Sequence, residues 1–131
     1  MRSPVPFGSV FFSITLIVFG IDHFLYAEGV ATLVPDWIPF HLFWTYFAGA
    51  ALIGAGVSIV LRIQVKLVGI LAGTMIFTWL LLLHIPRAVI MPELQNGNEI
   101  TSVFQALAFS GIAFVLAFGY RKAKDYDEKI S

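Results

Sequence analysis

Four stretches of this chain, residues 5–21, 42–61, 67–83 and 100–120, are long, uncharged and apolar on every side of a helix, and this feature restricts its fold more than any other. They predict four membrane helices at about residues 7–27, 40–61, 65–89 and 99–120. A helix needs about 20 apolar residues to cross a bilayer. The composition agrees, since 12% of the residues are charged, against about 25% in soluble proteins. We therefore predict an all-α integral membrane protein, a single transmembrane domain over 1–131 built as an up-down-up-down four-helix bundle.

Basic residues predict how this bundle lies in the membrane. Lys and Arg favour cytoplasmic loops, and the side of the bundle that holds both termini has seven of them, against Arg87 alone on the other side. The seven are Arg2, Arg62, Lys66, Arg121, Lys122, Lys124 and Lys129. We expect both termini to be cytoplasmic in a bacterial inner membrane, with residues 121–131 as a charged, solvated tail.

The composition also excludes several kinds of chemistry. The chain has no cysteine, which excludes disulfides, thiol redox catalysis and iron–sulfur clusters. Its formal net charge is zero, so nothing indicates a nucleic-acid partner. No flavin, haem or nucleotide motif is present, and an independent enzyme is not expected.

Small residues predict how the helices pack. Helix two is rich in Gly and Ala between Ala48 and Gly56, and helix three contains the GxxxG motif Gly69 to Gly73. Such residues let helix backbones approach closely in lipid, where the hydrophobic effect does not drive association. We expect them to pack helices within the bundle, with a homodimer seam as the alternative.

The residues capable of chemistry converge at one depth of the membrane. Helices one and three end on the outer side and helices two and four begin there, so distant parts of the sequence meet in the outer leaflet. Polar residues at membrane depth are costly and often functional. The candidate ligand-binding residues are Asp22, His23, Tyr26, Trp37, His41, Trp44, His84, Arg87, Glu99 and Gln105.

Three interpretations of this polar cluster remain open. In the first it is structural, with Arg87 paired to Asp22 or Glu99 and the histidines bonded to backbone or headgroups. In the second it is the polar end of an apolar pocket for a lipid-like or quinone-like molecule. In the third His23, His84 and a carboxylate such as Glu99 hold a metal ion.

Several segments resemble the DoxX family of small bacterial membrane proteins. These are Gly20-Ile21-Asp22-His23-Phe24, Val34-Pro35-Asp36-Trp37-Ile38-Pro39, the Gly/Ala-rich part of helix two, His84-Ile85-Pro86-Arg87, and Asn98 to Ala108. The resemblance covers roughly residues 7–118. It implies a four-helix membrane bundle, an accessory role in quinone-linked oxidoreduction, and His23 as a site residue. It also implies a Glu in helix two where this chain has Leu52, which puts an activity that needs that acid in doubt.

Taken together, the sequence predicts a DoxX-like membrane protein that binds a quinone- or lipid-like ligand at the periplasmic end of the bundle. Its expected partners are the lipid bilayer and a membrane oxidoreductase subunit. The alternative is a non-enzymatic structural or assembly protein, in which the polar cluster only braces the helices.

Overall fold

A computed structural model describes residues 5–90 and 97–130 of the protein, and the part it describes is helical, without strands. The elements are α1 (Val5–Leu25), α2 (Ala27–Ala31), α3 (His41–Val60), α4 (Val65–Trp79), a π-helical segment (Leu80–His84), α5 (Ile85–Ile90) and α6 (Asn98–Ile130).

Four of these helical stretches are long and apolar enough to cross a membrane. They cover Phe7–Leu25, His41–Val60, Val65–Ile90 and Asn98–Gly119, and their lengths run from 19 to 26 residues. A bilayer core about 30 Å thick requires about 20 helical residues. The prediction of four helices long and apolar enough to span a membrane is therefore confirmed, with boundaries shifted by only a few residues, and these helices indicate a multi-pass membrane protein.

Helices α1 and α3 pack most closely, along a seam of glycines. A Cβ atom added at Gly20 would lie 2.7 Å from the carbonyl oxygen of Gly49, and one added at Gly56 would lie 2.7 Å from the carbonyl oxygen of Ser13. Because the later glycine of α3 meets the earlier part of α1, the two helices run antiparallel. The backbones touch here without intervening side chains, as small residues allow in membrane proteins.

Helices α4 and α6 form a second close pair, and the GxxxG motif lies between them. A Cβ atom at Gly69 would lie 2.8 Å from the carbonyl oxygen of Ala113, and one at Gly73 would lie 3.0 Å from the ring of Phe114. Both glycines of the motif are thus used within the chain, as the bundle-packing interpretation predicts.

The α1–α3 and α4–α6 pairs meet over a common apolar core. Its buried residues are Phe12, Leu16, Leu52, Ala55, Ile59, Ala72 and Ala113. On one side α3 contacts α4, which follows it after a four-residue turn. On the other side α1 and α6 meet through aromatic rings, since Phe109 packs against both Phe12 and Phe19.

Three features differ from the prediction. Helix α1 ends at Leu25, and after Tyr26 the short α2 begins, where one continuous helix to about residue 27 was expected. The third span contains a π-helical segment, Leu80–His84, that ends two residues before Pro86. Helix α6 continues through the charged tail to Ile130, because residues 121–129 include Lys, Arg, Ala and Glu, which are good helix formers, and no Pro or Gly.

Candidate ligand-binding cavity

A cavity of about 300 Å³ lies between the two helix pairs, in the half of the protein where α1 ends and α3 begins. Its walls come from α1, α3, α4, the π-helical segment and α6, and Val30, Leu33 and Val34 of the α1–α3 connection also line it. This volume is at the lower end of the range for small-molecule pockets. It suits one ring system or a short length of alkyl chain.

Most of the cavity wall is apolar, with several aromatic rings. The apolar residues from the spans are Leu16, Phe19, Trp44, Ala48, Leu52, Met75, Ile76, Trp79, Leu83, Ala106 and Phe109. Trp44 and Trp79 meet edge to face, with ring centroids 6.3 Å apart. Phe19 and Phe109 also line the cavity, and their ring centroids are 5.4 Å apart. A largely apolar wall of this kind favours an apolar molecule over water.

Six polar side chains complete the wall, and they come from all four spans. They are Asp22, His23, Thr45, His84, Ser102 and Gln105. They lie in the last turns of the first and third spans and in the first turns of the second and fourth, so they share one end of the cavity. A few convergent polar groups in an apolar pocket are typical of small-molecule sites.

Two of the three histidines are satisfied by backbone carbonyl groups. Nδ1 of His23 donates to the carbonyl oxygen of Phe19 at 2.6 Å, and Nε2 of His41 donates to that of Pro35 at 3.1 Å. His41 does not line the cavity; its bond ties the start of α3 to the α1–α3 connection. This is the bonding that the structural interpretation predicts.

His84 differs from the other two histidines. Its side chain lines the cavity, and Nδ1 is buried with no hydrogen-bond partner among the described residues. Leaving a buried polar atom unpaired costs roughly 1–3 kcal/mol, so an unpaired atom in a native structure requires an explanation such as a water, an ion or a ligand.

The π-helical segment explains how His84 reaches this position. The N–H group of Ile85 donates to the carbonyl oxygen of Leu80, five residues back, which widens the helix by one residue. Pro86 follows and cannot donate to the preceding turn. Such π-bulges are frequent at functional sites, and this one rotates His84 relative to α4.

Arg87 and Glu99 form a salt bridge beside this end of the cavity. Nε of Arg87 donates to Oε1 of Glu99 at 3.1 Å, and the Glu99 side chain is 8% exposed. The bond joins α5 to the first turn of α6. Arg87 therefore pairs with Glu99, one of the two partners that the structural interpretation offered, and neither residue lines the cavity.

The structure brings together half of the predicted site residues. Asp22, His23, Trp44, His84 and Gln105 line the cavity. The others lie outside its lining: Tyr26 and Trp37 are 66% and 70% exposed, His41 bonds to Pro35, and Arg87 bonds to Glu99.

Three lining residues with side chains that can form hydrogen bonds, Thr45, Ser102 and Trp79, were not among the predicted site residues. Thr45 and Ser102 occur on the same helical turns as predicted residues, but many polar residues on a span are packing residues. Trp79 had a usable signal: it lies in the middle of a span, away from the headgroup level at which Trp usually anchors helices.

The metal interpretation finds no geometric support in the described part of the chain, where no group of three or more His, Asp or Glu side chains could hold an ion. His23 and His84 both line the cavity, but Glu99 is bonded to Arg87 outside it.

Fold and site together indicate a small helical, multi-pass membrane protein with a cavity between its four candidate spans. Residues 12–113, most of the chain, match the family described as a domain of unknown function (DUF8561), and the chain belongs to that family. No curated protein and no solved structure matches it.

Proposed function

We propose that the protein binds a small hydrophobic molecule of the membrane, lipid-like or quinone-like, with the polar head of that molecule at His84. The observation that carries this proposal is the unpaired Nδ1 of His84, a residue that lines a mostly apolar cavity. A ligand oxygen or an ordered water could supply the missing hydrogen bond after a small rotation of the ring.

The location of the cavity favours a ligand dissolved in the bilayer over one dissolved in water. Asp22 lines the cavity near the end of α1, and Ser102 and Gln105 line it near the start of α6. These two helices meet through phenylalanine rings. Side chains move more readily than packed backbones do. A lipid-like molecule could therefore enter between α1 and α6 without separating the glycine seams.

In our proposal the four spans form an up-down-up-down bundle in the inner membrane, with both termini cytoplasmic. The antiparallel packing of α1 on α3 and of α4 on α6 supports the alternation. The distribution of Lys and Arg supports the orientation. The cavity then lies in the outer leaflet.

The relationship to the DoxX family belongs to this proposal, as does a role beside a quinone-linked oxidoreductase. What supports them is the set of resembling segments, of which Asp22 and His23 line the cavity. Leu52 also lines the cavity, so the pocket lacks a carboxylate at that point of α3. This absence favours a binding role over catalysis by the chain itself.

A second candidate function is a structural or assembly protein with no ligand. The hydrogen bonds of His23 and His41 and the Arg87–Glu99 salt bridge favour it, because each joins parts of the chain to one another. It leaves the cavity and the unpaired nitrogen of His84 without a role.

Mass spectrometry of the purified protein distinguishes the two candidates. The protein is purified in a mild detergent, and molecules extracted from it are compared with those from an unrelated four-span protein prepared from the same membranes. We expect one apolar molecule with a polar head to be enriched to near one per chain. An extract identical to that of the unrelated protein would favour the structural candidate.

The orientation is testable because the chain has no cysteine. Single substitutions Ile63→Cys, in the α3–α4 turn, and Glu28→Cys, on α2, both place a thiol at an exposed position. In intact cells a membrane-impermeant maleimide should label only Glu28→Cys, and permeabilised cells should show both. Labelling of Ile63→Cys in intact cells would reverse the proposed orientation.

A further inference from the structure

The polar groups of the cavity wall differ in whether they can donate or accept a further hydrogen bond, and this restricts which polar head a ligand can carry. For His23 the assignment follows from its partner. A carbonyl oxygen only accepts, so Nδ1, which lies 2.6 Å from the oxygen of Phe19, carries the proton. In the neutral ring the other nitrogen, Nε2, is then an acceptor.

Two hydroxyl groups of the wall have their single hydrogen already in use. Thr45 Oγ1 donates to the carbonyl oxygen of His41 at 2.9 Å, and Ser102 Oγ donates to that of Asn98 at 3.0 Å. Since a hydroxyl has one hydrogen and two lone pairs, each can offer a ligand only an acceptor.

Asp22 adds a fourth acceptor. Its side chain is half-buried in the wall, and no described residue donates a hydrogen bond to its carboxylate. An ionised carboxylate accepts only, and its hydrogen bonds are stronger than those of neutral acceptors.

Fewer groups in the wall can donate a hydrogen bond, and two of these three can also accept one. The amide of Gln105 and the imidazole of His84 can each donate or accept, and the indole N–H of Trp79 donates. The N–H of Trp44 is already bonded to the carbonyl oxygen of Pro39. The Thr45 and Ser102 hydroxyls and the Asp22 carboxylate can therefore only accept, and they come from α1, α3 and α6. With Nε2 of a neutral His23 beside them, acceptors dominate the polar end of the cavity.

From this asymmetry we infer that the ligand carries a hydroxyl group as its polar head, and that the cavity selects an alcohol, phenol or quinol over the corresponding ether or quinone. The inference rests on the proposed function, because it specifies which hydrophobic molecules the cavity binds. An ether or carbonyl oxygen placed against Asp22 and Nε2 of His23 would face acceptors with no hydrogen to share. A hydroxyl donates to one of them and accepts from His84 or Gln105.

A pair of matched probes tests the inference. Para-octylphenol and its methyl ether, para-octylanisole, share the ring and the alkyl chain, but only the phenol donates. The protein in lipid nanodiscs carries Trp37→Phe, which removes the tryptophan outside the cavity, so that Trp44 and Trp79, which both line it, report binding by fluorescence. We expect the phenol to bind about tenfold more tightly, as one hydrogen bond provides.

A variant pair tests whether the wall is responsible. Asp22→Asn replaces one of the two accepting carboxylate oxygens by a donating NH2 group. It should reduce the preference for the phenol over the ether about threefold or more. Asp36→Asn makes the same change at an exposed position outside the cavity and should leave the preference intact. Thermal unfolding confirms that both variants remain folded.

The outcomes separate this inference from the proposed function. Equal binding of the two probes, or tighter binding of the ether, would overturn the selection of a hydroxyl head while leaving the cavity as a binding site. If neither probe alters the fluorescence of Trp44 and Trp79 at any concentration below that which disrupts the nanodisc, the proposed function fails, and the inference with it.

Discussion

The three histidines of this chain show how far residue identity alone determines a role. His23, His41 and His84 occur at similar depths in their spans, and the sequence does not show how their hydrogen bonding differs. Packing separates them: two donate to backbone carbonyl groups, while Nδ1 of His84 has no partner among the described residues. Spacing could not show this difference, because each bond depends on whether a carbonyl oxygen lies within about 3 Å of a ring nitrogen.

This difference predicts opposite effects of one substitution. His84→Leu removes a buried, unpaired nitrogen, so it should keep or raise the free energy of unfolding, by up to roughly 1–3 kcal/mol. His41→Leu removes a formed hydrogen bond to Pro35 and should lower it by about 0.5–1.5 kcal/mol. Both values come from unfolding in mixed micelles.

His84→Leu should also weaken binding of the co-purified molecule, so that stability and binding change in opposite directions. A His84→Leu protein that is clearly less stable than the His41→Leu protein would contradict the assignment of His84 as a group reserved for a ligand.

At the scale of elements, local sequence predicted the spans well and their internal breaks less well. Pro86 has no N–H group and therefore disturbs the hydrogen bonding of the preceding turn, and the π-helical segment Leu80–His84 lies in that part of the span. The sequence did not reveal that the disturbance takes the form of a π-bulge, which depends on how Leu80 and Leu83 are buried against neighbouring helices. Tertiary packing determines whether this part of the helix keeps α-helical hydrogen bonds or forms a π-bulge.

The small residues predicted helix packing more reliably, because few residue types allow two helix backbones to approach so closely. The sequence predicted close packing by the Gly/Ala-rich part of α3, and the structure confirms it at Gly49 and Gly56 but not at Gly54, where a Cβ atom would meet nothing within 4 Å. Composition alone does not distinguish glycines on the seam from those facing outward.

This contrast gives a matched pair of glycine substitutions. Gly20→Ala places a Cβ atom 2.5 Å from Ile53 Cγ1 and 2.7 Å from the carbonyl oxygen of Gly49. Part of that obstacle is backbone, so α1 and α3 must separate, and we expect a loss of about 1–3 kcal/mol in the free energy of unfolding.

Gly54→Ala is the control, since it adds the same methyl group in open space. It should be neutral or slightly stabilising, by up to about 1 kcal/mol, because alanine is the better helix former. Equal losses for both variants, measured by unfolding in mixed micelles, would show that the seam does not hold α1 against α3.

At the scale of the whole molecule, hydropathy predicted the number of spans and nearly all of their boundaries, and it placed the polar residues near one end. It could not predict the cavity, because a cavity is the volume that side chains from four spans fail to fill. Five of the ten predicted site residues line it; Arg87 and Glu99 instead form a salt bridge, and Tyr26 and Trp37 are exposed.

A pair of variants, one inside the cavity and one outside it, tests whether the cavity holds a hydrophobic molecule. Ala106 is buried and lines the cavity, while Ala108, two residues further along α6, is exposed. Ala106→Phe puts a ring into the cavity, and Ala108→Phe puts the same ring on the outer surface of the helix.

The measurement is the amount of bound molecule per chain, determined by native mass spectrometry of the wild-type protein and of each variant. We expect near-complete occupancy in the wild-type and Ala108→Phe proteins. In a folded Ala106→Phe protein we expect the loss of roughly nine-tenths of it or more, an order-of-magnitude expectation for a displaced ligand. Equal occupancy in both variants, or none in the wild-type protein, would contradict it.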